Sequence, residues 1–210
     1  MVHIMKKYLF LLMISFIFAL FSKTVTASEW TGNVNLLLGV KMLNENDWEP
    51  VNEQGELSIH VDLRSRDWPI SIEMGLSGSY DTQEDYIGIE DFNRDGSTGE
   101  FKFGVRKTWE PDESFRPYLG GGLAVITVKE ELRFPQVSYN DEDTCLGLWI
   151  HGGLYWTLSN AFNIGFDLGF TGGKASLIDI DLQTADNKIF TEKDIAAGGG
   201  HFAFFVGYHW

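Results

Sequence analysis

Apolar residues recur at every second position along most of the chain. Val34, Leu36, Leu38 and Val40 alternate with Asn33, Asn35 and Lys41, and Leu57, Ile59, Val61 and Leu63 with Ser58, His60, Asp62 and Arg64. Ile70, Ile72, Met74 and Leu76 are interleaved with Ser71, Glu73 and Ser77, and Phe101, Phe103 and Val105 with Lys102 and Arg106. Further on, Leu146, Leu148 and Ile150 alternate with His151, and Phe162, Ile164, Phe166, Leu168 and Phe170 with Asp167. The last stretch, HFAFFVGYHW, sets Phe202, Phe204, Val206, Tyr208 and Trp210 against His201, Ala203, Phe205, Gly207 and His209. A period of two predicts strands with one greasy face. They are placed at 30–42, 56–65, 68–80, 100–109, 116–128, 145–158, 162–173 and 200–210. A usual strand has about five or six residues, whereas a tilted strand crossing a bilayer needs about nine to eleven. In 116–128 both parities are small or apolar, so the facing of this fifth strand stays open.

The connections alternate in length. SRD (65–67), EPDES (110–114) and SNA (159–161) read as tight turns, and the long stretches 43–55, 81–99, 129–143 and 175–199 read as loops. In an up-and-down barrel every second connection emerges at the same end, so one rim carries the long loops and the other the short turns and both strand termini. Soluble barrels of lipocalin type share that rhythm. The tryptophans separate the two readings. Trp30, Trp68, Trp109, Trp156 and Trp210 all fall at strand ends beside the short-turn rim, each on the apolar parity. Such a ring suits a membrane interface, where the indole is half in hydrocarbon and its N–H reaches water. Charges of both signs on the opposite parity fit a polar barrel interior. We expect some of Lys41, Arg64, Lys102 and Arg106 to meet Asp62, Glu73 and Asp167, filling a lumen just wide enough for side chains.

Residues 1–27 read as a cleaved secretion signal. Lys6 and Lys7 start it, YLFLLMISFIFALF (8–21) is too short for a spanning helix, and VTA (25–27) offers small residues at the cut. The domain expected to remain is 28–210. Removing the signal takes away Lys6, Lys7 and Lys23, leaving 13 basic against 30 acidic residues, or −17. That balance argues against nucleic acid as a partner. Cys145, the one cysteine, allows no internal disulfide and reads as a small lumen filler.

With its signal segment, eight-strand rhythm, RPYLGGGLAV (116–125) and aromatic end FFVGYHW (204–210), the chain resembles the small outer-membrane β-barrel superfamily, which includes OmpA transmembrane domains, OmpX and OmpW. The resemblance implies an all-β, eight-stranded antiparallel up-and-down transmembrane barrel in the Gram-negative outer membrane. It also implies a monomer partnered by outer-membrane lipids and lipopolysaccharide, with the final strand read by the barrel-assembly machinery. Members usually end on Phe, where this chain has Trp210.

The local chemistry is thin. In DFNRDGSTGE (91–100), Asp91, Asn93, Asp95 and Gly96 match the first positions of a calcium loop, but Lys102 stands where the bidentate Glu belongs. An Asp-Gly turn opening a strand is the alternative. His60, His151 and His201 sit on the lumen parity, and none has a serine at same-face spacing in its own strand. No catalytic, metal-ligating or cofactor-binding residue is therefore assigned, and no cofactor is expected. The acidic segments 45–56, 81–95 and 140–143 suit solubility, divalent bridging to lipopolysaccharide or a cationic partner. The expected role is structural or surface interaction without catalysis. The alternatives are a narrow channel or carrier for small hydrophobic molecules, as in OmpW-like members, and a lipid-A-modifying enzyme.

Overall fold

The computed structural model describes residues 30–87, 90–111, 114–135, 137–158, 161–184 and 187–210. The expected signal peptide lies outside the described residues. The strands are β1 (Trp30–Leu43), β2 (Glu53–Ser65), β3 (Ser71–Ile87), β4 (Glu90–Thr108), β5 (Phe115–Arg133), β6 (Ser138–Leu158), β7 (Phe162–Thr184), β8 (Asn187–Ala196) and β9 (Gly199–His209). A single turn of helix, α1 (Glu45–Trp48), lies between β1 and β2, and the Asn44 side chain caps it by accepting from the Asn46 N–H.

Each strand from β1 to β7 pairs antiparallel with the next. Strand β9 then pairs with β7 on one side and β1 on the other, which closes an eight-stranded wall. The eighth place in that wall is shared by two strands. The half of β7 near the short turns, Phe162–Phe170, pairs with β9, and its far half, from Lys174, pairs with β8. The chain steps from β8 to β9 at Ala197 and Gly198, where the Ala197 N–H donates to the Gly173 carbonyl at 3.1 Å. A side chain on Gly198 would collide with the Thr171 carbonyl, so glycine is required at this close approach.

The alternation decides which face is wet. Leu36, Leu38, Ile59, Leu76, Phe103, Leu148, Ile164, Phe204 and Val206 are all exposed on the outside. The intervening Asn35, Lys41, His60, Asp62, Glu73, Lys102, Arg106, His151, Asp167 and His201 are buried in the lumen. This is the reverse of a soluble barrel, and hydrocarbon is the medium in which that exterior is stable. Strand β5 is settled too: Leu119, Leu123 and Val125 face out, and Tyr118, Ala124, Ile126 and Val128 face in. Trp30, Trp68, Trp109, Trp156 and Trp210 remain exposed at the short-turn rim, with the Trp30 and Trp68 rings packed edge to face, centroids 5.5 Å apart.

The stretches expected as long loops are mostly strand. Hairpins β3–β4, β5–β6 and β7–β8 carry their pairing beyond the greasy belt. On the other rim β3 begins at Ser71, so Trp68, Pro69 and Ile70 belong to the turn. DFNRDG lies in extended β4, with Asn93 opposite Glu84 and Asp95 opposite Thr82. It forms neither a wrapped cation loop nor a turn. The Asp95 carboxylate is engaged by the Thr82 hydroxyl at 2.6 Å and by Arg133.

Candidate functional site: a layered, closed lumen

Inward-facing side chains form three layers. Nearest the short turns, a hydrogen-bonded net draws one or more side chains from β1 to β7 and β9: Asn33 (β1), Asp62 (β2), Glu73 (β3), Arg106 (β4), Tyr118 (β5), His151 (β6), Asn163 and Asp167 (β7) and His201 (β9). Arg106 is its hub. Its Nε donates to Glu73 Oε2 at 3.1 Å, Nη2 donates to Glu73 Oε1, and Nη1 donates to Asp62 Oδ1 at 3.1 Å. Its guanidinium carbon lies 4.3 Å from the centroid of the Tyr118 ring, over the face. The planar fork of arginine is what allows one residue to satisfy two carboxylates. Asn33 completes Asp62, donating at 3.1 Å to both carboxylate oxygens, and Asn163 donates to Asn33 at 2.8 Å.

Asp167 is the second hub. The Tyr118 hydroxyl donates to it, His201 Nε2 stands 2.6 Å away, and His151 Nδ1 lies 2.9 Å from Oδ2, close enough to pair but off the hydrogen-bond line. His151 Nε2 lies 3.0 Å from Glu73 Oε2, so one imidazole spans two carboxylates. His60 packs edge-on to His151 with ring centroids 5.5 Å apart, and its Nδ1 is 3.6 Å from Glu73 Oε1. The histidines fit because glycines face them across the ladder. Gly75 pairs with His60, Gly120 and Gly169 flank His151, and Gly169 also pairs with His201. A Cβ on Gly120 would come within 2.6 Å of His151 Nε2, and one on Gly169 within 2.8 Å of His201 Nε2.

The middle layer is built around Glu100. Lys41 Nζ donates to Glu100 Oε1 at 2.5 Å and to Thr98 Oγ1 at 2.7 Å, and Lys102 Nζ is 2.9 Å from Glu100 Oε2. Towards the hairpin rim the lumen turns apolar. Trp48 from α1 enters it together with Leu43, Val51, Ala124, Ile126, Val128, Trp149 and Ile195, all buried. Trp48 Nε1 donates to the Ala196 carbonyl at 2.8 Å, and the Ala196 N–H donates to Asp47 Oδ2 at 3.0 Å, which ties α1 to β8.

Arg106 meets Asp62 and Glu73 as expected. Lys41 and Lys102 instead converge on Glu100, which parity alone would have placed beside Lys102. Arg64 meets Glu110 at the short-turn rim, and Asp167 meets His151, His201 and Tyr118 where a Lys or Arg was expected. Cys145 packs against the apolar layer but is only half-buried.

No family model matches the sequence, and no curated protein matches it. Solved structures match the fold. The barrel aligns with a major outer membrane protein of Thermus thermophilus at a TM-score of 0.59 and 11% identity, covering 86% of this chain and 99% of that one. It aligns with Ail, the attachment invasion locus protein of Yersinia pestis, at 0.53 and 10% identity, covering 87% and 98%. The fold is that of the small outer-membrane β-barrels. At such identities the likeness extends to the architecture of a membrane barrel, and these proteins differ in role.

Proposed function

We propose that this outer-membrane barrel is a closed structural or surface-interacting element that neither conducts nor catalyses. The observation that carries this reading is the filled lumen. Arg106, Glu73 and Asp167 are buried, Arg106 bonded to Glu73 and Asp167 to Tyr118 and His201, and Trp48 packs into the apolar layer towards the hairpin end. Hydrated ions need a continuous wet path, and a hydrophobic ligand needs an apolar cavity. Three layers of packed side chains among the described residues argue against both. The histidines, Tyr118 and the carboxylates could do acid–base chemistry, but only on a substrate able to reach them, and their burial argues against access by a lipid or a peptide. The hairpins beyond the belt, with Glu45, Glu49 and Glu53 exposed beside α1, would then carry the surface role toward divalent cations, lipopolysaccharide or a cationic partner. Export through a signal at 1–27, insertion by the barrel-assembly machinery through β9, and a monomeric state belong to the same proposal.

Planar-bilayer recording on the purified barrel tests it. We expect an unbroken baseline, and steady ion-sized currents would overturn the closed reading. Mass spectra of lipid A from cells with and without the gene should be identical; a difference that the purified barrel reproduces on isolated lipid A would overturn the non-catalytic reading.

A further inference from the structure

The lumen net has an electrical imbalance. Among the described residues, the buried carboxylates Glu56, Asp62, Glu73, Glu100 and Asp167 face only three buried cations, Lys41, Lys102 and Arg106. Asp95 is matched separately by Arg133. With neutral histidines, two negative charges remain enclosed, and a low-dielectric interior does not hold them uncompensated. His151 and His201 already abut carboxylates; His60 is placed differently. Its ring is buried, yet neither Nδ1 nor Nε2 has a hydrogen-bond partner. A buried imidazole with both nitrogens idle beside a carboxylate and a second imidazole points to a missing ligand.

We propose that His60, Glu73 and His151 form a binding site for one divalent transition-metal ion, with zinc the best match. One donor atom from each lies within 4.8 Å of the others. Ligand bonds of about 2.0–2.2 Å in a tetrahedral site set donors roughly 3.2–3.6 Å apart. His151 Nε2 lies 3.0 Å from Glu73 Oε2 and His60 Nδ1 3.6 Å from the other oxygen, Oε1, so each imidazole stands near donor spacing from one oxygen of the shared carboxylate. Arg106 takes one lone pair on each Glu73 oxygen and leaves another on each for a metal. Two imidazoles and a carboxylate are a zinc-type donor set, whereas calcium and magnesium require oxygens throughout. Asp167, 2.9 Å from His151 Nδ1, stands where metal-binding histidines find the carboxylate that orients the ring. Gly75 and Gly120 hold the space, since a Cβ would come within 2.9 Å of His60 Cδ2 and 2.6 Å of His151 Nε2. With the histidines neutral and the His151 Nε2 lone pair turned to the ion, a dication would cancel the two residual negative charges of the net.

The site is enclosed, so the ion is supplied during folding. The untagged chain is refolded from urea into detergent with zinc or cobalt(II), desalted, and analysed for bound metal and by X-ray absorption at the metal edge. We expect one ion per chain, with two imidazoles in its first shell. His60→Leu should lose it, His209→Ala should keep it, and Asp167→Asn should weaken it by roughly 10–100-fold. Retention of no ion by the folded wild-type barrel would overturn the proposal. So would an all-oxygen shell, which would place the metal on the acidic hairpins, or undiminished binding by His60→Leu. If His60→Leu fails to fold, the first-shell composition in the wild-type chain decides alone.

Discussion

Replacing Arg106 by Met asks how much the charged net contributes to the barrel. Methionine keeps most of the aliphatic volume and removes three donated hydrogen bonds, two to Glu73 and one to Asp62. Both acids are almost fully buried, so each keeps a charge with no cation beside it. Breaking a buried pair by deleting one partner costs about 3–5 kcal/mol, and loss of the cation over the Tyr118 ring adds about 1 kcal/mol. The expected loss of about 4–6 kcal/mol corresponds to roughly a thousandfold or more in the folding equilibrium. Urea titration in detergent with EDTA present, followed by tryptophan fluorescence and by the shift of the folded barrel on unheated gels, gives the value. Adding Asp62→Asn and Glu73→Gln to Arg106→Met removes the stranded charges and should recover most of the loss, because a neutral net is often as stable as an ionic one. A loss below about 1 kcal/mol for Arg106→Met alone would refute the reasoning. It would mean that water reaches Glu73 and Asp62, and the closed lumen would fall with it.

Trp48→Ala should cost about 3 kcal/mol or more of unfolding free energy, as large-to-small changes at buried aromatics do. It should nonetheless leave the bilayer baseline silent, since the Glu100 and Arg106 layers remain below. Leu36, exposed midway between Trp30 and Met42 on β1, should cost about 2–4 kcal/mol when changed to Arg in phospholipid vesicles, the penalty for a cation at bilayer mid-depth; an unchanged transition would argue against a hydrocarbon surround. Asp143, on the β5–β6 hairpin beyond the belt, accepts from the Ser176 N–H at 2.8 Å and the Thr144 N–H at 2.7 Å, which hold its carboxyl below the usual range. A depressed folded value means protection that is full above the ordinary carboxylate pKa and lost as pH falls through the lowered one. The protection factor of the Ser176 amide, its exchange rate corrected for the intrinsic pH dependence, should therefore fall in acid, and Asp143→Asn should flatten that dependence.

Most of the wall was legible in the chain because a bilayer imposes one rule on every strand: greasy outward, polar inward. Leu36 and Asn35, or Phe103 and Lys102, announce their facing by parity alone. Strand β5 resisted because Ala124, Ile126 and Val128 line the apolar end of the lumen, so its inner face carries no polar mark. The hairpins escaped notice for the opposite reason. Beyond the belt both faces of a two-stranded ribbon meet water, the alternation disappears, and stretches such as 81–87 and 90–95 look like loops although they are paired residue for residue. The grouping of His60, Glu73 and His151 depends on β2, β3 and β6 meeting across the barrel. A parity reading puts all three inside but cannot say which face one another. Two hints were available: each lumen histidine is opposed by a glycine in an adjacent strand, and acidic residues outnumber Lys and Arg on that face.

Because every stave of the cylinder sends at least one member into the same ring of bonds, the ring cannot be completed piecemeal. Asn33 and His201 arrive on β1 and β9, the two strands that meet last in chain order, and Asp62 and Asp167 wait for them. Until that seam zips, acids destined for the interior still have water as a partner. Once it has zipped, reopening it would strand them. Closure of the wall and neutralisation of its contents are thus one event, and a half-zipped barrel has no resting place short of either sheet or cylinder.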